Sequence, residues 1–134
     1  MANEVVAGGT GGLTDNEKML SAVGYVYICC GAPLFLVPLL GAKDSRFAKF
    51  HAKQAAALYI VALGSGILIW VFTTVLQIAG SMIHFPYLGC IGNLLGLLVG
   101  GGCFVLMIIG AINAMQAQEK ELPVLAPLAA KLPF

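Results

Sequence analysis

What this chain lacks is charge where a water-soluble protein must have it. Between Lys53 and Glu119 lie 65 consecutive residues without a single Asp, Glu, Lys or Arg. A soluble domain cannot hide so long a stretch, because its surface carries charge at short intervals. One bilayer crossing takes about 20 apolar residues, so the stretch is long enough for at least two. Met19 to Leu40 adds a further charge-free run of 22 residues. Acidic residues are missing from every candidate span, which argues against a proton- or cation-coupled transporter. The net charge is only +1, so no bulk field favours nucleic acid.

Chemical motifs are equally scarce. No Ser-His-Asp set, paired carboxylate or phosphate-cradling loop is present, and enzyme activity is not expected. No CxxC pair or His/Cys cluster has zinc-ligand spacing, so neither a metal nor another cofactor is implied. Cys29, Cys30, Cys90 and Cys103 all fall inside apolar runs and read as small packing residues. Adjacent Cys29 and Cys30 point to different helix faces, so a disulfide between them would be strained.

What is present organises the chain as an all-α polytopic membrane protein of about three transmembrane helices. Residues 1–18 form a polar tail, rich in glycine from Gly8 to Gly12, with Thr14 or Asp15 placed to cap the first helix. Residues 19–115 form the membrane domain, with spans over about 19–40, 55–79 and 87–115. Residues 116–134 form a C-terminal tail. Its apolar part, Leu122–Phe134, is too short to cross and is interrupted by Pro123, Pro127 and Pro133. It should lie along the membrane surface or fold back against the bundle.

Pro33 and Pro38 in the first span predict a kink or break, since each deletes an intrahelical hydrogen bond. The only substantial charged segment, Lys43 to Lys53, reads as an interfacial helix leading into span two. Its Phe47, Phe50, His51 and Gln54 share one stripe. Lys43, Arg46, Lys49 and Lys53 are available to lipid phosphates. His51 and Gln54 need hydrogen-bond partners on the apolar stripe, and backbone freed by Pro33 or Pro38 is the expected source. A lone histidine without a carboxylate makes a poor catalytic case.

In span three, Gly92, Gly96 and Gly100 recur every fourth residue, a spacing that admits a second helix backbone at close range. Asn93 and Asn113 should face protein rather than lipid. Loop lysines and arginines place the 43–53 loop and the C-terminus in the cytoplasm and, with three spans, the N-terminus outside.

The Phe50-His51-Ala52-Lys53-Gln54 segment carries a family resemblance. It follows an apolar run ending in Val37-Pro38-Leu39-Leu40 and a short charged loop with Asp44 and Phe47, and the tail holds Glu121-Leu122-Pro123-Val124-Leu125. Together these resemble the small bacterial membrane proteins related to the Tic channel-like component of the chloroplast inner-envelope translocon. That broad group includes the magnetosome proteins MamF and MmsF. The resemblance implies a helical protein of the bacterial inner membrane, or of an organelle-like membrane derived from it.

Taken together, these features favour a non-enzymatic interaction protein whose partners are the bilayer and other membrane helices, as homo- or hetero-oligomer. Such a protein is an accessory or scaffold subunit of a larger complex. A translocation or channel component is the alternative, and a lipid-surface sensor using the 43–53 helix is a third reading.

Overall fold

The computed structural model describes residues 13–26, 31–42 and 44–133. The expectations placed on the glycine-rich tail to residue 12, on Cys29 and Cys30, and on Lys43 lie outside the described residues. Five helices follow one another: α1 (Asp15–Val23), α2 (Leu36–Gly41), α3 (Arg46–Met82), α4 (Leu88–Met115) and α5 (Ala126–Ala130). Among the described residues there is no strand.

α1 begins at a complete capping box. Thr14 Oγ1 accepts from the Glu17 amide at 3.3 Å, and Glu17 Oε2 accepts from the Thr14 amide at 2.9 Å. Two amides that would otherwise be orphaned are thereby satisfied. The Thr14 backbone bond, with help from the Ser45 hydroxyl, holds the Glu17 carboxyl below its ordinary pKa. The helix stops after nine residues at Gly24, which caps it.

The expected first span over 19–40 is therefore not one helix. Turn structure occupies residues 24–26, and residues 31–35 are not helical. α1 is about 14 Å long and α2 about 9 Å, against a hydrocarbon core of about 30 Å. Gly31 adopts a left-handed φ of 64°, which ends any helical run. Pro33 lies in the non-helical stretch, as its missing N–H predicts. Pro38 behaves differently: it occupies the first turn of α2, where no N–H is required of it, and it is buried. α1 and α2 pack on one another. A Cβ on Gly24 would lie 3.0 Å from Pro38 Cγ, and one on Gly41 would lie 3.2 Å from Leu20 Cδ1.

Two helices, α3 and α4, are long and apolar enough to cross a membrane, and only 22% and 17% of their most apolar stretches is buried. The core helix of a soluble protein would be mostly covered. Here Leu68, Trp70, Leu97 and Leu98 are each at least 66% exposed, an arrangement suited to hydrocarbon as solvent. α3 absorbs both the expected interfacial helix and the expected span 55–79 into one uninterrupted helix of 37 residues. No proline lies between Pro38 and Pro86, and the alanine-rich sequence after His51 favours continuation. Hydroxyls within it are satisfied locally. Ser65, Thr73 and Thr74 donate to carbonyls four residues back, at 2.7, 2.7 and 2.8 Å.

By contact density the chain falls into two units: the described parts of Met1–Tyr59 with Leu106–Phe134, and Ile60–Val105. The second unit is an antiparallel helical hairpin. Its turn is a Schellman motif: the Phe85 amide reaches Gly80 O at 2.8 Å and the His84 amide reaches Ser81 O at 3.4 Å. His84 takes the left-handed position, with φ 59°, where glycine is usual. Gly92 lies against Thr73, where a Cβ would come within 2.8 Å of Thr73 Cβ and 2.9 Å of its Cα.

Candidate functional site: a buried tyrosine, histidine and glutamine junction

Within the first unit, the opening turns of α3 supply a tightly buried face. Phe47, Ala48, His51, Ala52, Gln54, Ala55 and Leu58 are all buried, and the 3.6-residue period places them on the side away from exposed Arg46 and Lys49. His51 sits among three aromatic rings. Its centroid is 4.5 Å from Phe47, 5.3 Å from Phe50 and 5.9 Å from Tyr25, all edge-on.

Both imidazole nitrogens are engaged. Nε2 lies 3.1 Å from the Gln118 carbonyl, and Nδ1 lies 3.1 Å from the Tyr25 hydroxyl. A carbonyl can only accept, so Nε2 carries a hydrogen, and in the neutral ring Nδ1 accepts from Tyr25. Burial pushes the Tyr25 phenol above its ordinary pKa, which keeps that proton on the oxygen. The same hydroxyl is 3.4 Å from Gln54 Oε1, so its one proton serves one acceptor at a time. Gln54 Nε2 donates to the Lys120 carbonyl at 3.2 Å. Two side chains of α3 thus hold two main-chain carbonyls beyond α4, and one tyrosine from the turn after α1 ties in the third element.

Those carbonyls are delivered by a second Schellman motif at the end of α4. The Gln118 amide bonds Asn113 O at 2.9 Å, the Ala117 amide bonds Ala114 O at 3.2 Å, and Ala117 adopts φ 57°. The chain then folds back, burying Leu122, Leu125 and Ala129. Of the two courses expected for the tail, this is the packed one. Tyr25 is fully buried because Gly110 of α4 has no side chain. A Cβ there would stand 2.7 Å from Tyr25 Cδ1 and 2.8 Å from Cζ.

His51 and Gln54 therefore meet partners other than those expected. Of the carbonyls that the two prolines free, that of residue 29 lies outside the described residues, and that of Leu34 accepts from the Val37 amide at 3.0 Å. Phe50 and Lys53, both half-buried, line a cleft of about 140 Å³ with Gln54, Glu121 and three alanines of α5. Within the hairpin unit the glycine repeat divides. Gly92 makes the close contact, Gly96 would bring a Cβ to 3.4 Å from Ile69 Cγ2, and Gly100 meets nothing within 4 Å. Asn93, expected to face protein, is exposed. Among the described residues no group of three or more His, Cys, Asp or Glu side chains converges.

Tyr25, Gly110, Gln118 and Lys120 belong to the junction without having stood out in the sequence. Tyr25 is one aromatic in an apolar run, Gly110 follows several other glycines, and the last two contribute only backbone. The polar pair His51 and Gln54 was the one signal available.

The model of the magnetosome magnetite crystal formation protein family, MamF_MmsF, matches residues 16–129. The match runs from the second residue of α1 through most of α5 and takes in every junction residue. It concerns the magnetosome proteins within the resemblance read from the sequence, not the translocon component. No curated protein and no solved structure matches the chain.

Proposed function

Because the chain belongs to the magnetosome magnetite crystal formation protein family, we propose that it is a non-enzymatic scaffold or accessory subunit of the magnetosome membrane. On this reading it serves crystal formation by packing against other membrane helices. The observation that carries the proposal is Asn93. It is exposed on a crossing helix and has no hydrogen-bond partner among the described residues. An unpaired amide in hydrocarbon costs about 2–7 kcal/mol, so a partner from outside the chain is favoured. One and two turns on, Gly96 and Gly100 continue that face, and Gly100 is open.

Two crossings, rather than three, follow from the broken N-terminal segment. The turn after α1 is bonded to the start of α3 and packs against α4 within one unit, so on this reading the turn after α1 and the segment after α4 share a side. Every Lys and Arg of the sequence lies outside Ile60–Val105, which makes that side cytoplasmic. No observation favours the translocation reading.

The test compares two glycines. Gly92→Leu should destroy the hairpin, because Thr73 occupies the space. Gly100→Leu should leave the protein inserted and folded yet release it from the complex it enters in magnetosome membranes. Retention of the Gly100→Leu variant in a complex of native size would overturn the proposed interface.

A further inference from the structure

The cleft beside the junction has a composition that neither the hairpin nor the helix-packing role explains. It measures about 140 Å³ and is bounded by Phe50, Lys53 and Gln54 of α3, by Glu121, and by Ala126, Ala129 and Ala130 of α5. Most of its wall is therefore apolar. Its two formal charges are of opposite sign, and among the described residues neither Lys53 nor Glu121 has an ion-pair partner.

The position of these charges along the chain fixes their depth. Lys53 is the last charged residue before the 65-residue charge-free stretch, and Glu121 lies two residues past Glu119, where that stretch ends. Charged side chains at the ends of crossing helices settle at the boundary between hydrocarbon and headgroups. By that rule the cleft is expected near the boundary. The cleft is small, at about 140 Å³. That suits a headgroup fragment, not a whole acyl chain.

We propose that this cleft binds the headgroup of a zwitterionic aminophospholipid, phosphatidylethanolamine, from the surrounding bilayer. The lipid phosphate accepts from Lys53 Nζ, and its primary ammonium donates to the Glu121 carboxylate. Phe50 and the α5 alanines cover the ethanolamine and glycerol carbons. An anionic lipid such as phosphatidylglycerol satisfies Lys53 but offers Glu121 only a neutral glycerol hydroxyl, a weaker donor than an ammonium. Phosphatidylcholine carries the cation but no N–H to donate. Selectivity among lipids thus resides in Glu121, and general phosphate affinity in Lys53. Exposed Arg46 and Lys49 lie outside the cleft.

The full-length protein is reconstituted in nanodiscs holding equal phosphatidylethanolamine, phosphatidylglycerol and phosphatidylcholine, and the lipids retained on release are weighed by native mass spectrometry. Phosphatidylethanolamine should exceed each of the others by about fivefold, the ratio expected of one partly exposed charge-assisted contact. Glu121→Gln, an exposed and nearly isosteric change, should bring the ethanolamine and glycerol lipids to near parity. Lys53→Gln should reduce retention of all three. Equal retention of phosphatidylethanolamine and phosphatidylglycerol by the native protein overturns the proposal whatever the variants do. So does an unchanged preference in Glu121→Gln. Soluble phosphoethanolamine, added at the lipid's concentration, should fail to displace it. Displacement would assign the cleft to a free phosphate ester instead of a membrane lipid.

Discussion

Single atoms decide much of how this chain holds together, and His51 shows it most clearly. Its two nitrogens bridge a hydroxyl 26 residues before it and a carbonyl 67 residues after it. Replacing it with glutamine keeps a donor for Gln118 O and an acceptor for Tyr25, whereas leucine leaves both buried groups unpaired. We expect His51→Leu to cost about 1–3 kcal/mol more stability than His51→Gln, the usual penalty for an orphaned buried partner. Thermal unfolding in detergent measures it, and equal losses in the two variants would remove hydrogen bonding as the reason for the histidine. Gly110 is the steric counterpart. Since Tyr25 is fully buried, its ring cannot yield to a new methyl group. Gly110→Ala should lower stability by about 1–3 kcal/mol, as overfilled packed sites do. An unaffected melting temperature would mean the ring has room to move. His84 lies at the other extreme, exposed in a left-handed turn with φ 59°. There His84→Gly should raise stability by about 0.5–1 kcal/mol, since glycine alone takes that conformation without strain. A loss instead would show that the imidazole makes a compensating contact.

Among the helices, the charge-free run announced α3 and α4 and left α1 and α2 misread. Hydropathy alone locates apolar stretches of crossing length, and for 87–115 the boundary was legible to within a residue of α4. It cannot tell a crossing helix from two short helices folded on each other, because both are equally apolar. The distinguishing marks were conformational: Gly24 as a cap, Gly31 with positive φ, and Pro33 without an N–H to give. Proline position mattered more than proline count, since Pro38 sits harmlessly in the first turn of α2. The expected boundary between the interfacial helix and span two rests on a change from polar to apolar sequence. A change of polarity does not break a helix when no glycine or proline accompanies it. The glycine repeat was half legible. Spacing put Gly92, Gly96 and Gly100 on one face, but only the register of the hairpin shows that Gly92 meets Thr73 while Gly100 meets nothing. The junction was legible as a need, two polar side chains on an apolar stripe, and not as a solution. Its partners are distant in sequence and largely main chain.

For the whole molecule, membership of the magnetosome magnetite crystal formation family stands beside the proposal of a non-enzymatic scaffold. The junction binds the turn after α1, the start of α3 and the C-terminal segment into one unit, and the exposed apolar hairpin forms the other. On the proposed reading α3 and α4 both cross, residues 13–26 and the C-terminal segment lie on the cytoplasmic side, and the 83–87 turn lies on the far side. The direct test is cysteine labelling on intact, isolated magnetosomes, whose outer face is cytoplasmic. In a background with Cys29, Cys30, Cys90 and Cys103 replaced by alanine, Asn16→Cys, Asp44→Cys and His84→Cys each offer an exposed position. An impermeant maleimide should modify residues 16 and 44 at once and residue 84 only after detergent is added. Modification of residue 44 with protection of residue 16 would place the N-terminus across the membrane, restore a third crossing, and contradict the account.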